Sequence, residues 1–167
     1  MSLNTFSIDL HTNYDVECWR SGKLIWTESF HNLVTTVGKN KILDACFKTG
    51  EAANQWFIGL TNNSGFSAYA LTDTMSSHPG WTEATPYSNA TRPAFVASAP
   101  SGGSMNNIAS RAVYTINATG VIRGAFLVDN STKGGSTGTL YGIGDFTIST
   151  RSVLIGDILN LTVTLSA

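Results

Sequence analysis

The chain has 167 residues, of which 42% are hydrophobic and only 13% charged, with a formal net charge of −1. Its 21 Thr, 18 Ser and 13 Asn do the solvating instead, a composition poor for helices and good for strands and turns. These figures exclude a basic nucleic-acid or lipid-binding footprint, a transmembrane helix, a disulfide framework or zinc site built on two cysteines, and a disordered chain.

The length predicts one domain, residues 1–167, with a core large enough to need no staples. Met1 to Leu10 has no basic stretch followed by an apolar one, so no signal peptide is expected. The chain is then made in a reducing cytoplasm, with Cys18 and Cys46 as thiols.

Period 2 dominates the pattern. Phe6, Ile8 and Leu10 alternate with Ser7 and Asp9, and Tyr14, Val16 and Cys18 alternate with Asp15 and Glu17. Each run reads as a strand with one wet face. Ser21-Gly22 then predicts a tight hairpin whose return strand runs to about Phe30. Asn32 to Lys48 carries Leu33, Val37, Ile42, Leu43, Cys46 and Phe47 at mixed three- and four-residue steps. This predicts a helix capped by Thr35 or Thr36 and ended by Gly50. Gly38 and Asn40 weaken its first turns, which moves the expected start to about Lys39. Its apolar stripe, Cys46 included, is expected to be buried against the sheets.

Trp56 to Leu60 is a nearly continuous apolar run, which suits a strand buried on both faces. Thr61 to Arg111 is irregular and rich in Ser, Thr, Asn, Gly and Pro. Trp81, Tyr87, Phe95 and Val96 predict that part of it packs down, with short strands near Trp81–Glu83 and Ala94–Ser98. The last third alternates clearly over 112–118, 121–128, 140–148 and 152–155. Gly142 and Gly144 mark a bulge or a close approach. In the final strand Leu159, Leu161, Val163 and Leu165 face one way, and Asn160, Thr162 and Thr164 the other. Nine or ten strands with no βαβ alternation predict an all-β fold, an antiparallel β-sandwich with one short helix.

Catalytic patterns fail on spacing. His11, His31 and His78 have no partner at metal-ligand spacing, and no G-x-S-x-G occurs. Lys133 to Gly138 (KGGSTG) has the wrong order for a phosphate loop and precedes a strand. Asp129, Asp145 and Asp157 read as turn residues rather than as a glycosidase pair. Five N-x-[ST] sequons match chance in so Asn- and Thr-rich a chain. No enzyme activity, cofactor or metal is expected. What stands out is polar loops carrying aromatic residues. Phe66, Tyr69, His78, Trp81, Tyr87 and Arg92 in the long segment, with Asn130 and Lys133 in the Asp129–Gly138 loop, are the candidate interface residues.

Several phrases resemble a known group. They include ESFHNLVTTVG at 28–38, WFIGL at 56–60, DTMSSHPGWTE at 73–83, YSNATRP at 87–93, GAFL at 124–127, GGSTGTLYG at 134–142 and GDILNLTVT at 156–164. In this order, over roughly Trp26 to Leu165, they resemble small structural proteins of tailed bacteriophages and prophages. Within that group they also resemble head decoration, or cement, proteins, with a jelly-roll fold implied by analogy. The resemblance implies a virion location and no catalysis. It also implies a homo-oligomer, with a trimer the economical form on a threefold position. The partners it implies are sister subunits and the major capsid protein, not nucleic acid or membrane. A tail, baseplate or fibre component that binds cell-surface glycan is the alternative.

Overall fold

The computed structural model describes residues 10–51 and 54–167. Phe6 and Ile8 of the expected first strand therefore lie outside the described residues. The fold is a β-sandwich of two antiparallel sheets with one α-helix.

The first sheet is built on β1 (His11–Arg20) and β2 (Lys23–His31). Between them Ser21 and Gly22 both take positive φ, 49° and 76°. That is the two-residue turn whose twist matches a right-twisted hairpin. β11 (Ile158–Ser166) pairs with the other side of β1. The broken strand formed by β6 (Ser104–Asn106) and β7 (Ala112–Thr115) completes the sheet along β11. Register sets the inner rows: Tyr14 opposite Val163, Val16 opposite Leu161 and Cys18 opposite Leu159, all buried. Tyr14 also stacks on Phe30 across the hairpin, ring centroids 5.1 Å apart. The face expected for the last strand is the one observed. Thr162 differs in degree, because its outward position is only 8% exposed.

The second sheet runs β3 (Leu33–Val34), β9 (Leu140–Asp145), β8 (Gly120–Val128), β4 (Phe57–Asn62), β5 (Glu83–Ala84), with β10 (Arg151–Val153) also on β8. Ile58, Leu60, Ala125 and Leu127 face the first sheet, while Phe126, Val128, Leu140 and Ile143 face away and are equally buried. β4 is thus covered on both sides, as its continuous apolar run predicts. Gly142 and Gly144 occupy inner positions of β9. A methyl group on Gly142 would strike Asn32, and one on Gly144 would strike His31 O and the Phe30 ring. They are the close approach expected there.

Helix α1 (Thr36–Phe47) begins three residues before Lys39. Thr35 caps it, its Oγ1 accepting from Gly38 N at 3.0 Å. Gly38 does not weaken the start; it permits it, because any Cβ there would collide with the Tyr141 backbone. The helix docks on β9 by that backbone contact. Its stripe is therefore not buried as expected: Ile42 packs on the core, but Leu43 is 56% and Phe47 84% exposed, and Cys46 is exposed. Of the expected middle strands, β5 is present, while Ala94 forms only a bridge to Phe57 and Val96 is exposed.

Among the described residues the sheet edges are short or partly capped. On β2, Ser29 O accepts from Thr147 Oγ1 at 2.7 Å, and inward-pointing Glu28 is held by Arg151 at 2.7 Å. On β7, Val113 O accepts from Asn89 Nδ2 at 3.0 Å and Thr115 O from Ser88 N at 2.8 Å. β3 and β5 have two residues each. Short, capped or inwardly charged edges disfavour edge-to-edge pairing.

Candidate interaction surface

The eight candidate residues separate into two clusters. Phe66, Tyr69, His78 and Trp81 belong to the segment that folds over the outer face of the second sheet. Trp81 is 2% exposed and packs on Phe126, and its Nε1 donates to Asp73 Oδ2 at 3.0 Å. His78 stacks on Trp81 at 4.0 Å, and Tyr69 OH bonds Thr61 Oγ1 at 2.8 Å. Arg123 covers Phe66 at 3.7 Å. These aromatics form a satellite core with Met75, and Trp81 presents no face to a partner.

Tyr87, Arg92, Asn130 and Lys133 meet in a polar lock between two loops. The Arg92 guanidinium donates to both oxygens of Glu83, at 3.0 and 2.7 Å, and to the carbonyls of Asn130 and Gly135, each at 2.9 Å. Gly134 N donates to Glu83 Oε2 at 2.8 Å. Lys133 Nζ donates to Tyr87 O and Asn89 O at 2.9 and 2.7 Å and lies over the Tyr87 ring. Asn130 Oδ1 accepts from Thr132 N. Arg92 and Tyr87 are buried, and these two candidate residues help hold loops 83–93 and 129–138 together. The reason is pairing: a buried guanidinium is tolerated only when all its donors are satisfied. Glu83 and Asp73 were missed from sequence. Their signal was isolation, since between Thr61 and Arg111 the only other charged residue besides those two and the terminal arginine is Arg92.

Several further acidic groups and one thiol are also held internally. Asp145 pairs with Arg123 at 2.8 Å, and Asp129 accepts from Asn54 at 2.7 Å. Asp157, completely buried, takes both Arg20 donors at 2.6 and 2.9 Å and the Leu154 N–H at 2.8 Å. Burial beside Asp157 pushes the Cys18 thiol up to about 12, which leaves it no nucleophilic fraction near neutrality. Among the described residues no group of three or more His, Cys, Asp or Glu could hold a metal ion.

The hydrogen bonds from Arg20 hold the Asp157 carboxyl below its ordinary value. A carboxylate with a lowered folded pKa contributes stability above its unfolded value, about 4, and loses it as pH falls through the folded one. The urea midpoint should therefore drop as pH is lowered from about 5, and Asp157→Asn should weaken that dependence. A midpoint with the same acid slope in both proteins would show that Asp157 does not carry it.

The exposed apolar surface lies elsewhere, at both ends of β1. At its start, two adjoining cavities of about 380 and 580 Å³ flank α1. The smaller opens between the sheets and is lined by Trp56, Met105, Leu127, Tyr141 and Leu165. The larger is lined by Leu33, Val34, Leu43, Phe47 and Leu71, and Leu10 and Ile42 line both. At the far end the hairpin exposes Leu24 and Ile25. The Arg20–Asp157 pair brings that tip beside the β10–β11 turn, where Leu154 and Ile155 are also exposed. Comparison of the sequence with protein-family models and with curated proteins finds no match.

Proposed function

We propose that this chain is a structural protein of a tailed-phage virion, a capsid decoration protein that works as a homo-oligomer, a trimer, and catalyses nothing. The observation that carries the reading is exposed apolar surface at both ends of a sandwich whose edges are short or partly capped. Contiguous exposed apolar patches mark association surfaces. Two of them, at opposite ends of one rigid strand pair, suit a protein that bridges neighbours. The locked loops support it too, since preorganised loops lose little entropy on docking. Sister copies and the major capsid protein are the partners that fit. A tail component that stacks glycan on loop aromatics would need open rings, and Trp81 and Tyr87 are buried.

Stable specific interfaces bury about 1,200–2,000 Å². A trimer held by such interfaces survives dilution to micromolar concentration, so light scattering should give three times the chain mass. A monomer mass at that concentration contradicts the trimer. In purified virions the protein should be present at copy numbers comparable with the major capsid protein; a few copies per particle would favour the tail.

A further inference from the structure

Thr162 departs from its neighbours on the outer face of the first sheet. It is only 8% exposed, and its hydroxyl has no hydrogen-bond partner among the described residues. It lines a depression of about 220 Å³ together with Asp15, Glu17, Ile108, Arg111 and Asn160. Register places these side by side. Asp15 is opposite Thr162 and Glu17 opposite Asn160 across β1 and β11, and Arg111 immediately precedes β7, the next strand. Trp19 follows Glu17 in the same parity along β1, opposite Ile158. Its Nε1 donates to Glu17 Oε2 at 2.9 Å, and Arg111 donates to the same oxygen at 3.1 Å. One carboxylate thus fixes an indole and a guanidinium at the rim. Asn13 Nδ2 donates to Asp15 Oδ2 at 3.0 Å. Glu17 Oε1, Asp15 Oδ1 and the whole Asn160 amide stay without a partner among the described residues.

This set has a definite chemistry. Carboxylate, amide and guanidinium groups present acceptors and donors in one small space, and a hydroxyl is the ligand group that is donor and acceptor at once. The half-buried indole beside them adds an apolar face. A pyranose has an apolar C–H face and a rim of hydroxyls, so it matches both parts. Pockets for drug-sized ligands hold about 300–1,000 Å³, so this smaller depression admits one ring of a larger ligand. Two carboxylates against one guanidinium disfavour an anionic sugar.

We propose that this depression binds one neutral pyranose of a glycan, with Trp19 stacked on the ring and Asn160, Glu17, Asp15 and Thr162 bonded to its hydroxyls. The site lies on the sheet, apart from the loop aromatics, and the inference does not rest on the virion reading.

Titration of the full chain with the methyl glycosides of glucose, galactose, mannose and N-acetylglucosamine tests it, followed by proton–nitrogen correlation spectra. At least one probe at millimolar concentration should shift the Trp19 Nε1–H and Asn160 Nδ2 signals before any others. Asn160→Ala and Thr162→Val should each weaken that binding about threefold to tenfold, the loss of one hydrogen bond, with the remaining spectrum unchanged. The methyl glycoside of glucuronic acid should bind more weakly than that of glucose. No shift at the two signals with any of these probes overturns the proposal. Shifts centred on another face, or an affinity that both variants leave unaltered, also overturn it. Tighter binding of the glucuronide would overturn the neutral assignment.

Discussion

Arg92→Met should destabilise the protein by about 3–5 kcal/mol, the cost of leaving a buried charge without its partner. Glu83 is the charge left behind, and the carbonyls of Asn130 and Gly135 lose their donors at the same time. Arg92→Lys should recover only part of the loss, because an ammonium cannot span two carboxylate oxygens and two carbonyls in one plane. The double variant Arg92→Met/Glu83→Gln should cost less than the two single changes added together, since each single change strands the other group. Urea denaturation of the four proteins measures this directly. A cost below about 1 kcal/mol for Arg92→Met would mean that the lock contributes nothing to loop order.

Leu161→Ala should cost about 2–5 kcal/mol by cavity formation. Leu161 is fully buried on the inner face of β11, between Val16 on β1 and Ala112 on β7. Its neighbour Thr162→Ala tests the face assignment. Thr162 sits opposite Asp15 on the outer face, in a shallow depression with Ile108 and Arg111. Its hydroxyl contributes little to packing, so the change should cost about 1 kcal/mol or less. Equal losses at both positions would contradict the alternation on which the inner row rests.

The strands were legible because their signal is local. Parity along Tyr14, Val16 and Cys18, and along Leu159, Leu161 and Val163, determines which side chains share a face whatever the partner strand is. Ser21-Gly22 and Gly142/Gly144 were legible for a related reason: a positive φ or a missing Cβ is a property of the residue itself. The helix was legible as an element but not in its burial. Three- and four-residue spacing locates a stripe on α1 and does not say what covers it. The docking runs through Gly38, a residue that propensity counts against a helix.

The loops were read from composition, and composition does not say whether a loop aromatic points in or out. Trp81 is drawn inward by Asp73 and Phe126, and Arg92 by Glu83, Asn130 and Gly135. Four of the eight expected interface positions, Tyr87, Arg92, Asn130 and Lys133, do meet in space. They meet as a scaffold for the loops, with the exposed apolar surface displaced to the two ends of β1. Hydrogen bonds between residues so far apart in sequence leave no periodic trace.

The most direct test of the proposed decoration role is the heat resistance of virions that lack the protein. Such particles should assemble and adsorb to cells normally, yet release their DNA at lower temperature than complete virions, most clearly at low ionic strength. Particles of unchanged heat resistance that fail to adsorb would contradict the role and place the protein at the tail.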